Sequence, residues 1–270
     1  MKAPVNTAFS GSIPRQYDAH LGPMFFEPFA ELLAGRIATL APDRVLELAA
    51  GTGRLTRHLV DRLADHARIV ATDVNPAMLE FAQKTITAPR VEWNVVDAVD
   101  LPYADASFDL VVAQFGVMFY SDRVKAYREA LRVLKPGGRM ILTAWNALQE
   151  NPAARYANEV AHDFFPVDTP NFYTVPFAYH DRELIREELL TGGFARVKLE
   201  LATPTGQAAS AQDAATGLLE GSPIHTAIME RDAKALPAMK ELLAALLTAE
   251  FGTGALQVPL SAWVVEAVKD

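Results

Sequence analysis

One stretch constrains this chain more than any other: Val45-Leu46-Glu47-Leu48-Ala49-Ala50-Gly51-Thr52-Gly53, followed by Arg54-Leu55-Thr56-Arg57-His58-Leu59. An apolar strand carries one acid, a small-residue turn follows, and a helix begins. Ala and Gly in the turn let the backbone approach a ligand closely, because they carry little or no side chain. The helix start aims free N–H groups at whatever sits above the strand end. In an open α/β sheet, the crevice outside the carboxyl ends of the strands is where ligands bind. The alternative is a strand–turn–helix that holds nothing.

Two kinds of ligand compete for such a turn. The dinucleotide pattern G-x-G-x-x-G needs its third glycine for close packing of helix on strand. Gly51 and Gly53 fill the first two places, but Thr56 stands at the third. Glu47 would face a pyrophosphate with like charge, and it suits a ligand with a cationic amino-acid head instead.

The pattern continues downstream. Arg68 to Thr72 reads as a second strand ending in Asp73, 20 residues beyond Gly53, the interval at which such folds present a carboxylate to ribose hydroxyls. Asn75-Pro76 starts a helix, with Asn as cap and Pro at the first helical position. Val91 to Val96 is a third strand, followed by Asp97-Ala98 and Leu101-Pro102. Ser107 to Ala113 is a fourth, with Gln114 to Tyr120 at its carboxyl end. Asp122 begins a helix that stops at Leu134-Lys135-Pro136-Gly137-Gly138, where Gly and Pro form a helix-ending turn. Met140 to Trp145 is a fifth strand.

These fragments, in this order, resemble the class I S-adenosylmethionine (SAM)-dependent methyltransferases, nearest the broad type-11 group that includes quinone-biosynthesis C-methyltransferases. The resemblance covers roughly residues 44–145. It departs from the family at Ala49, which stands where that family usually has its first glycine. It implies a Rossmann-like seven-stranded, mostly parallel α/β sheet with an antiparallel last strand and helical cap insertions. It further implies that Glu47, Ala49, Gly51 and Gly53 form the cofactor turn and that Asp73, with Val74 beside it, takes the ribose. Asp97 with Ala98 would take the adenine amino group, Met78 would lie over the adenine, and the backbone at Gln114 and Phe115 would hold the methionine ammonium. Tyr17, in a leader reading Pro14 to Pro23 as an irregular flap, would fold over the cofactor; packing as a plain core aromatic is the alternative. The cofactor implied is SAM, with S-adenosylhomocysteine as product.

Beyond the core, Asp181 to Thr191 reads as a helix and Phe194 to Leu201 as a strand. Ala208 to Phe251 reads as helical, broken at Gly221-Ser222-Pro223 and Pro237, and Leu260 to Val268 as the last strand. The organisation expected is therefore lid helices over 1–43, with 1–12 loosely attached, then a SAM-binding core over 44–145. Residues 146–270 complete the sheet, with cap insertions at about 146–178 and 202–257. Phe164, Phe165, Phe172, Tyr173, Phe177 and Tyr179 suit either an apolar, aromatic acceptor or ordinary cap packing.

Methyl transfer from a sulfonium needs alignment and exclusion of water more than acid catalysis. A base matters only where the acceptor must lose a proton, and His20, His162, His180 and His225 are the candidates in the lid and insertions. No His pair suggests a metal. The net charge of −8 speaks against nucleic acid as substrate. The absence of cysteine fits the cytoplasm, and the longest apolar runs, such as Leu242 to Leu247, are too short to enter a membrane as a span. The expected partner is a small-molecule methyl acceptor, and the expected state a monomer or homodimer. Two other functions remain open at this point: a non-catalytic SAM-binding module, and an NAD(P)-dependent oxidoreductase supported only by the βαβ pattern and Asp73.

Overall fold

The computed structural model describes residue 9 and residues 11–270, so the loosely attached leader expected over residues 1–12 falls largely outside the described residues. A one-turn helix α1 (Ile13–Gln16) runs into a π-helical stretch (Tyr17–Phe26) and then α2 (Glu27–Leu40). Strands and helices then alternate as β1 (Arg44–Leu48), α3 (Arg54–Arg62), β2 (Arg68–Asp73), α4 (Pro76–Thr85), β3 (Val91–Val95), β4 (Phe108–Gln114), α5 (Arg123–Val133) and β5 (Leu134–Trp145). The second half comprises α6 (Pro152–Phe164), α7 (Arg182–Thr191), β6 (Arg196–Ala202), β7 (Thr205–Ala208), α8 (Ala211–Glu220), α9 (Ile224–Asp232), α10 (Ala235–Phe251), β8 (Leu256–Pro259) and β9 (Ala262–Val268).

Two compact units share this chain. The sheet unit takes Phe29–Asn146, Tyr179–Ala202 and Ala262–Asp270. Its seven strands are ordered β3-β2-β1-β4-β5-β9-β6. Strands β1 to β5 are parallel neighbours, and β9 runs antiparallel to both β5 and β6. Val45, Ile69, Leu110, Val112 and Ile141 form one buried core with Ala30, Leu33 and Ile37 of α2 and Leu55 and Leu59 of α3. The alternate residues Leu46, Leu48, Val111, Met140 and Leu142 are buried as well, so the sheet is covered on both faces. Each such aliphatic side chain contributes about 1.5–3 kcal/mol by leaving water.

Local chemistry sets the helix starts. Asn75 accepts from the Ala77 N–H, Asp122 from the Lys125 N–H, and Asp181 from the Glu183 and Leu184 N–H groups. Each satisfies backbone donors that a helix start leaves without a partner.

The second unit contains the described residues up to Pro28 together with Ala147–Ala178 and Thr203–Ser261. Here β7 and β8 form a two-stranded antiparallel ladder. Asn151 at the start of α6 accepts from the Ser261 N–H at 3.0 Å and donates to the Ser261 carbonyl at 3.0 Å, joining points 110 residues apart. Gly206 in β7 is sterically required, because a Cβ there would lie 1.7 Å from the Met24 carbonyl oxygen.

Several expectations are corrected. Pro14 to Pro23, expected as an irregular flap, is helical, and Pro23 sits inside the π-helical stretch. Lys135 to Gly138 is not a turn that ends a helix. Helix α5 stops at Val133, and the four residues loop out of β5 between Leu134, paired with Phe108, and Arg139, paired with Leu110. Pro237 does not break the helices, since it lies in the first turn of α10, where no intrahelical N–H bond is lost. The ladder β7–β8 flanks the region read as helix and was not anticipated; four-residue strands carry too short an alternation to stand out. The last strand begins at Ala262, two residues later than expected.

Candidate functional site

The chain reverses its direction of travel across the sheet between β1 and β4, and the carboxyl ends of β1 to β4 are where the singled-out residues gather. After β1 the backbone turns through Ala49 (φ 54°), Gly51 (φ 58°) and Gly53 (φ 79°), all in the left-handed region. Glycine enters that region freely, whereas Ala49 does so with a Cβ in the way. The turn is fastened from both sides. The Ala50 N–H donates to the Thr72 carbonyl at 2.8 Å, and the Gly53 N–H to the Ala50 carbonyl at 2.9 Å. Gly53 has no room for a side chain: a Cβ would meet Ile86 Cδ1 at 2.5 Å and Trp93 at 3.2 Å.

Asp73, at the end of β2, is tied into this turn. It accepts from the Gly51 N–H at 2.9 Å and from the Asn75 N–H at 2.8 Å. Loss of water around it on burial raises its carboxyl above the ordinary value, while the N–H donors of Asn75, Gly51 and Val74 pull it back down. Val74 beside it is a 58 % exposed aliphatic side chain. Met78, on α4, is buried, and its Cε lies 3.5 Å from where a Cβ on Gly51 would be.

Glu47 behaves differently from its expected part as a carboxylate open to a cationic head. It is 1 % exposed. Thr56, the residue that spoils the dinucleotide pattern, donates its hydroxyl to Glu47 Oε2 at 2.7 Å. Burial pushes the Glu47 carboxyl up to about 8, the Thr56 hydrogen bond lowers it, and the nearby Asp73 charge raises it further. At neutral pH the side chain is therefore largely protonated.

Asp97, just past β3, is exposed, and its Oδ1 accepts from the Val99 N–H at 3.1 Å; Ala98 is buried. Gln114 ends β4 and is half-buried. Phe115 follows with φ 54°, uncommon for so bulky a residue. Its N–H donates to Thr143 Oγ1 at 3.0 Å, and its ring stacks on Trp145 with centroids 3.8 Å apart. Gly116 closes the gap to the first turn, since a Cβ there would meet the Ala49 Cβ at 2.3 Å.

The remaining candidates are dispersed. Tyr17 belongs to the second unit, where it stacks on Phe26 at 4.8 Å. His20, His162 and His225 belong to that unit too. His20 Nδ1 lies 3.5 Å from Asp213, and His162 Nδ1 lies 3.1 Å from Thr169 Oγ1. His180 lies in the sheet unit just before α7, exposed, with its carbonyl accepting from the Trp263 indole at 2.9 Å. Phe172, Tyr173, Phe177 and Tyr179 are buried; Tyr173 donates to the Leu218 carbonyl, and Tyr179 donates to Glu188. Among the described residues, no group of three or more His, Asp or Glu could hold a metal ion, and no helix is long and apolar enough to cross a membrane. Sequence reasoning missed Thr56 as a partner of Glu47, Thr143 as a prop for Phe115, and Tyr120. The hydroxyl of Thr56, one helical turn into α3, was the only signal available for the first.

A left-handed turn after β1, an acid at the end of β2 and another after β3 rim the strand-end crevice in which open α/β sheets bind their ligands. Comparisons with known proteins narrow this. A family model described as a methyltransferase domain, of the type-11 group, matches residues 46–142. A demethylmenaquinone methyltransferase of Clavibacter sepedonicus is 34% identical over 173 residues, which is 60% of this chain and 69% of that one. A ubiquinone/menaquinone biosynthesis C-methyltransferase of Idiomarina loihiensis is 35% identical over 126 residues, 45% of this chain and 48% of its own length. Among solved structures, phosphoethanolamine N-methyltransferase 2 of Haemonchus contortus, in complex with SAM, shares the fold at TM-score 0.61 and 16% identity, covering 99% of this chain and 60% of that one. The [4+2]-cyclase SpnF does so at TM-score 0.52 and 20% identity, covering 88% and 80%. The chain belongs to the type-11 family of class I SAM-dependent methyltransferases. It is a SAM-dependent enzyme of the Rossmann-like fold.

Proposed function

We propose that this enzyme moves the methyl group of SAM to an oxygen, carbon or nitrogen of a small apolar or aromatic molecule, with a hydroquinone-type ring as the first acceptor to try. The observation that carries the reading is the set of acids at successive strand ends, Glu47, Asp73 and Asp97, around one left-handed turn. The acceptor class rests on similarity to relatives named for quinone-ring methylation.

The donor set fits the cofactor. Asp73 already accepts two backbone N–H groups and has oxygen lone pairs left for ribose hydroxyls, and Asp97 is open to an exocyclic amine. The Ala49–Gly53 turn and the Gln114–Phe115 backbone would hold the amino-acid end. SAM supplies an electrophilic methyl group on a sulfonium. The protein's part is to bind, align and exclude water, and alignment can account for several kcal/mol of the barrier. A cationic ammonium near Glu47 would draw its carboxyl to the ionised form, because an opposite charge favours ionisation.

Where the acceptor must give up a proton, His180 is the candidate base in the unit that carries the donor residues, with His20, His162 and His225 in the other. The test is methyl transfer from labelled SAM to a panel of hydroquinones, phenols and amines, run beside calorimetric titration with S-adenosylhomocysteine. Transfer to a ring acceptor supports the proposal. Binding without transfer to any member would make the chain a non-catalytic SAM-binding module.

A further inference from the structure

Tyr120 takes no part in the motifs that carry the resemblance, yet its setting points to a ligand. It ends the short turn that follows β4. Among the described residues, its hydroxyl oxygen is buried without a hydrogen-bond partner. Buried polar atoms in folded proteins nearly always have one.

The ring stands beside the first turn of the sheet, and burial, with the acids of the next strands, raises its hydroxyl. The ring passes beside the β1 turn: its Cε1 would stand 3.9 Å from a Cβ built on Gly116, and that same point is 2.3 Å from the Ala49 Cβ. The carboxylates of Asp73 and Asp97 act on the hydroxyl electrostatically, although they end β2 and follow β3. In the sheet order, β1 lies between β4 and β2, and neighbouring strands are about 4.8 Å apart. The ring therefore stands where the ends of β4 and β1 meet, with the ends of β2 and β3 next in the sheet order. Burial first, then the neighbouring Tyr127, Asp73 and Asp97, hold the hydroxyl well above its ordinary value, so it keeps its proton and has an O–H to donate to a ligand acceptor.

We propose that Tyr120 is a positioning residue of the donor site, whose hydroxyl donates to a ribose oxygen or adenine ring nitrogen of the bound cofactor, between Asp73 and Asp97. This rests on the assignment of the cofactor to these strand ends. Asp73 and Asp97 supply acceptors alone when ionised, and adenosine carries acceptors of its own that two carboxylates cannot satisfy. Tyr120 supplies a side-chain donor beside these acceptors.

The test is Tyr120→Phe in the full chain. Calorimetric titration is run with S-adenosylhomocysteine and with methylthioadenosine, which lacks the amino-acid end, and thermal melts are recorded with and without each ligand. The expected result is a loss of affinity of about 3- to 10-fold, equal for the two ligands, as for one neutral hydrogen bond. The melting temperature of the ligand-free variant should equal or exceed that of the wild type, since an unpartnered buried hydroxyl is removed. Unchanged affinity for both ligands overturns the proposal. So does a loss confined to S-adenosylhomocysteine, which would assign the hydroxyl to the amino-acid end. A ligand-free variant that melts several degrees lower makes the hydroxyl a structural one and overturns it as well. Failure of the wild type to bind either ligand is a different result, because it removes the cofactor assignment on which the proposal stands.

Discussion

Glu47 shows how much of a residue's chemistry comes from its surroundings. Its carboxyl titrates near 8 in the fold and near 4.5 when unfolded, so between those values the native state holds a proton that the unfolded chain has released. The sign follows directly. Stability from this group is greatest below about pH 4.5 and is lost as pH rises through about 8, by up to about 5 kcal/mol at one pKa unit per 1.36 kcal/mol. Glu47→Gln keeps the acceptor for Thr56 without the ionisation. Thermal melts from pH 5 to pH 9 should show the variant gaining on the wild type as pH rises; parallel curves would mean that Glu47 ionises freely in the native state. Asp73 has its oxygens already engaged by the Gly51 and Asn75 N–H groups. Asp73→Asn should weaken S-adenosylhomocysteine binding by about 1.5–3 kcal/mol, the usual worth of hydrogen bonds to a charged group, and calorimetry reads this directly.

Among the elements, the turn between β1 and α3 and the residues after β4 form one steric unit. Ala49 holds a left-handed conformation with its Cβ against the space that Gly116 leaves. Gly116→Ala should destabilise by roughly 1–3 kcal/mol through overpacking. Adding Ala49→Gly should recover most of that, because the opposing methyl is gone and the left-handed backbone is relaxed. A denaturation cycle on the four proteins measures the coupling, and additive losses would disprove the contact. At the start of α4, Asn75→Ala should cost about 1 kcal/mol as a lost cap, again read by denaturant melts. The cap at Asn75 and the helix starts at Asp122 and Asp181 were legible beforehand, since a side chain bonding two or three residues on is a local event. The π-helical stretch and the looped-out Lys135–Gly138 were not. The first depends on what packs around Tyr17 to Phe26. The second depends on a partner supplied by the chain's end, where the Gly137 N–H meets the Lys269 carbonyl.

At the scale of the whole molecule, the chain passes between its two units five times, after Pro28, Asn146, Ala178, Ala202 and Ser261. Neither unit is a continuous segment. The last strand, β9, enters the sheet between β5 and β6, pairing Val265 with both Leu142 and Leu199. Ending the chain at Ser261 should therefore leave β6 without a partner and β5 with an open edge. Circular dichroism melts should show loss of the cooperative transition, and a sharp transition in the truncated chain would mean that β9 adds little.

What the amino-acid sequence determined by itself was local and periodic. The Glu47–Gly53 turn, Asp73 and Asp97 past their strands, and the alternation of strand and helix over 44–145 were all legible, because each is written within a few neighbouring residues. Only the tertiary structure decided which polar groups lose their water. It buried Glu47 against Thr56, gave Phe115 its strained backbone on Thr143, and left the Tyr120 hydroxyl buried without a partner among the described residues. Desolvation sums over atoms brought in from remote parts of the chain, and no local pattern carries that sum.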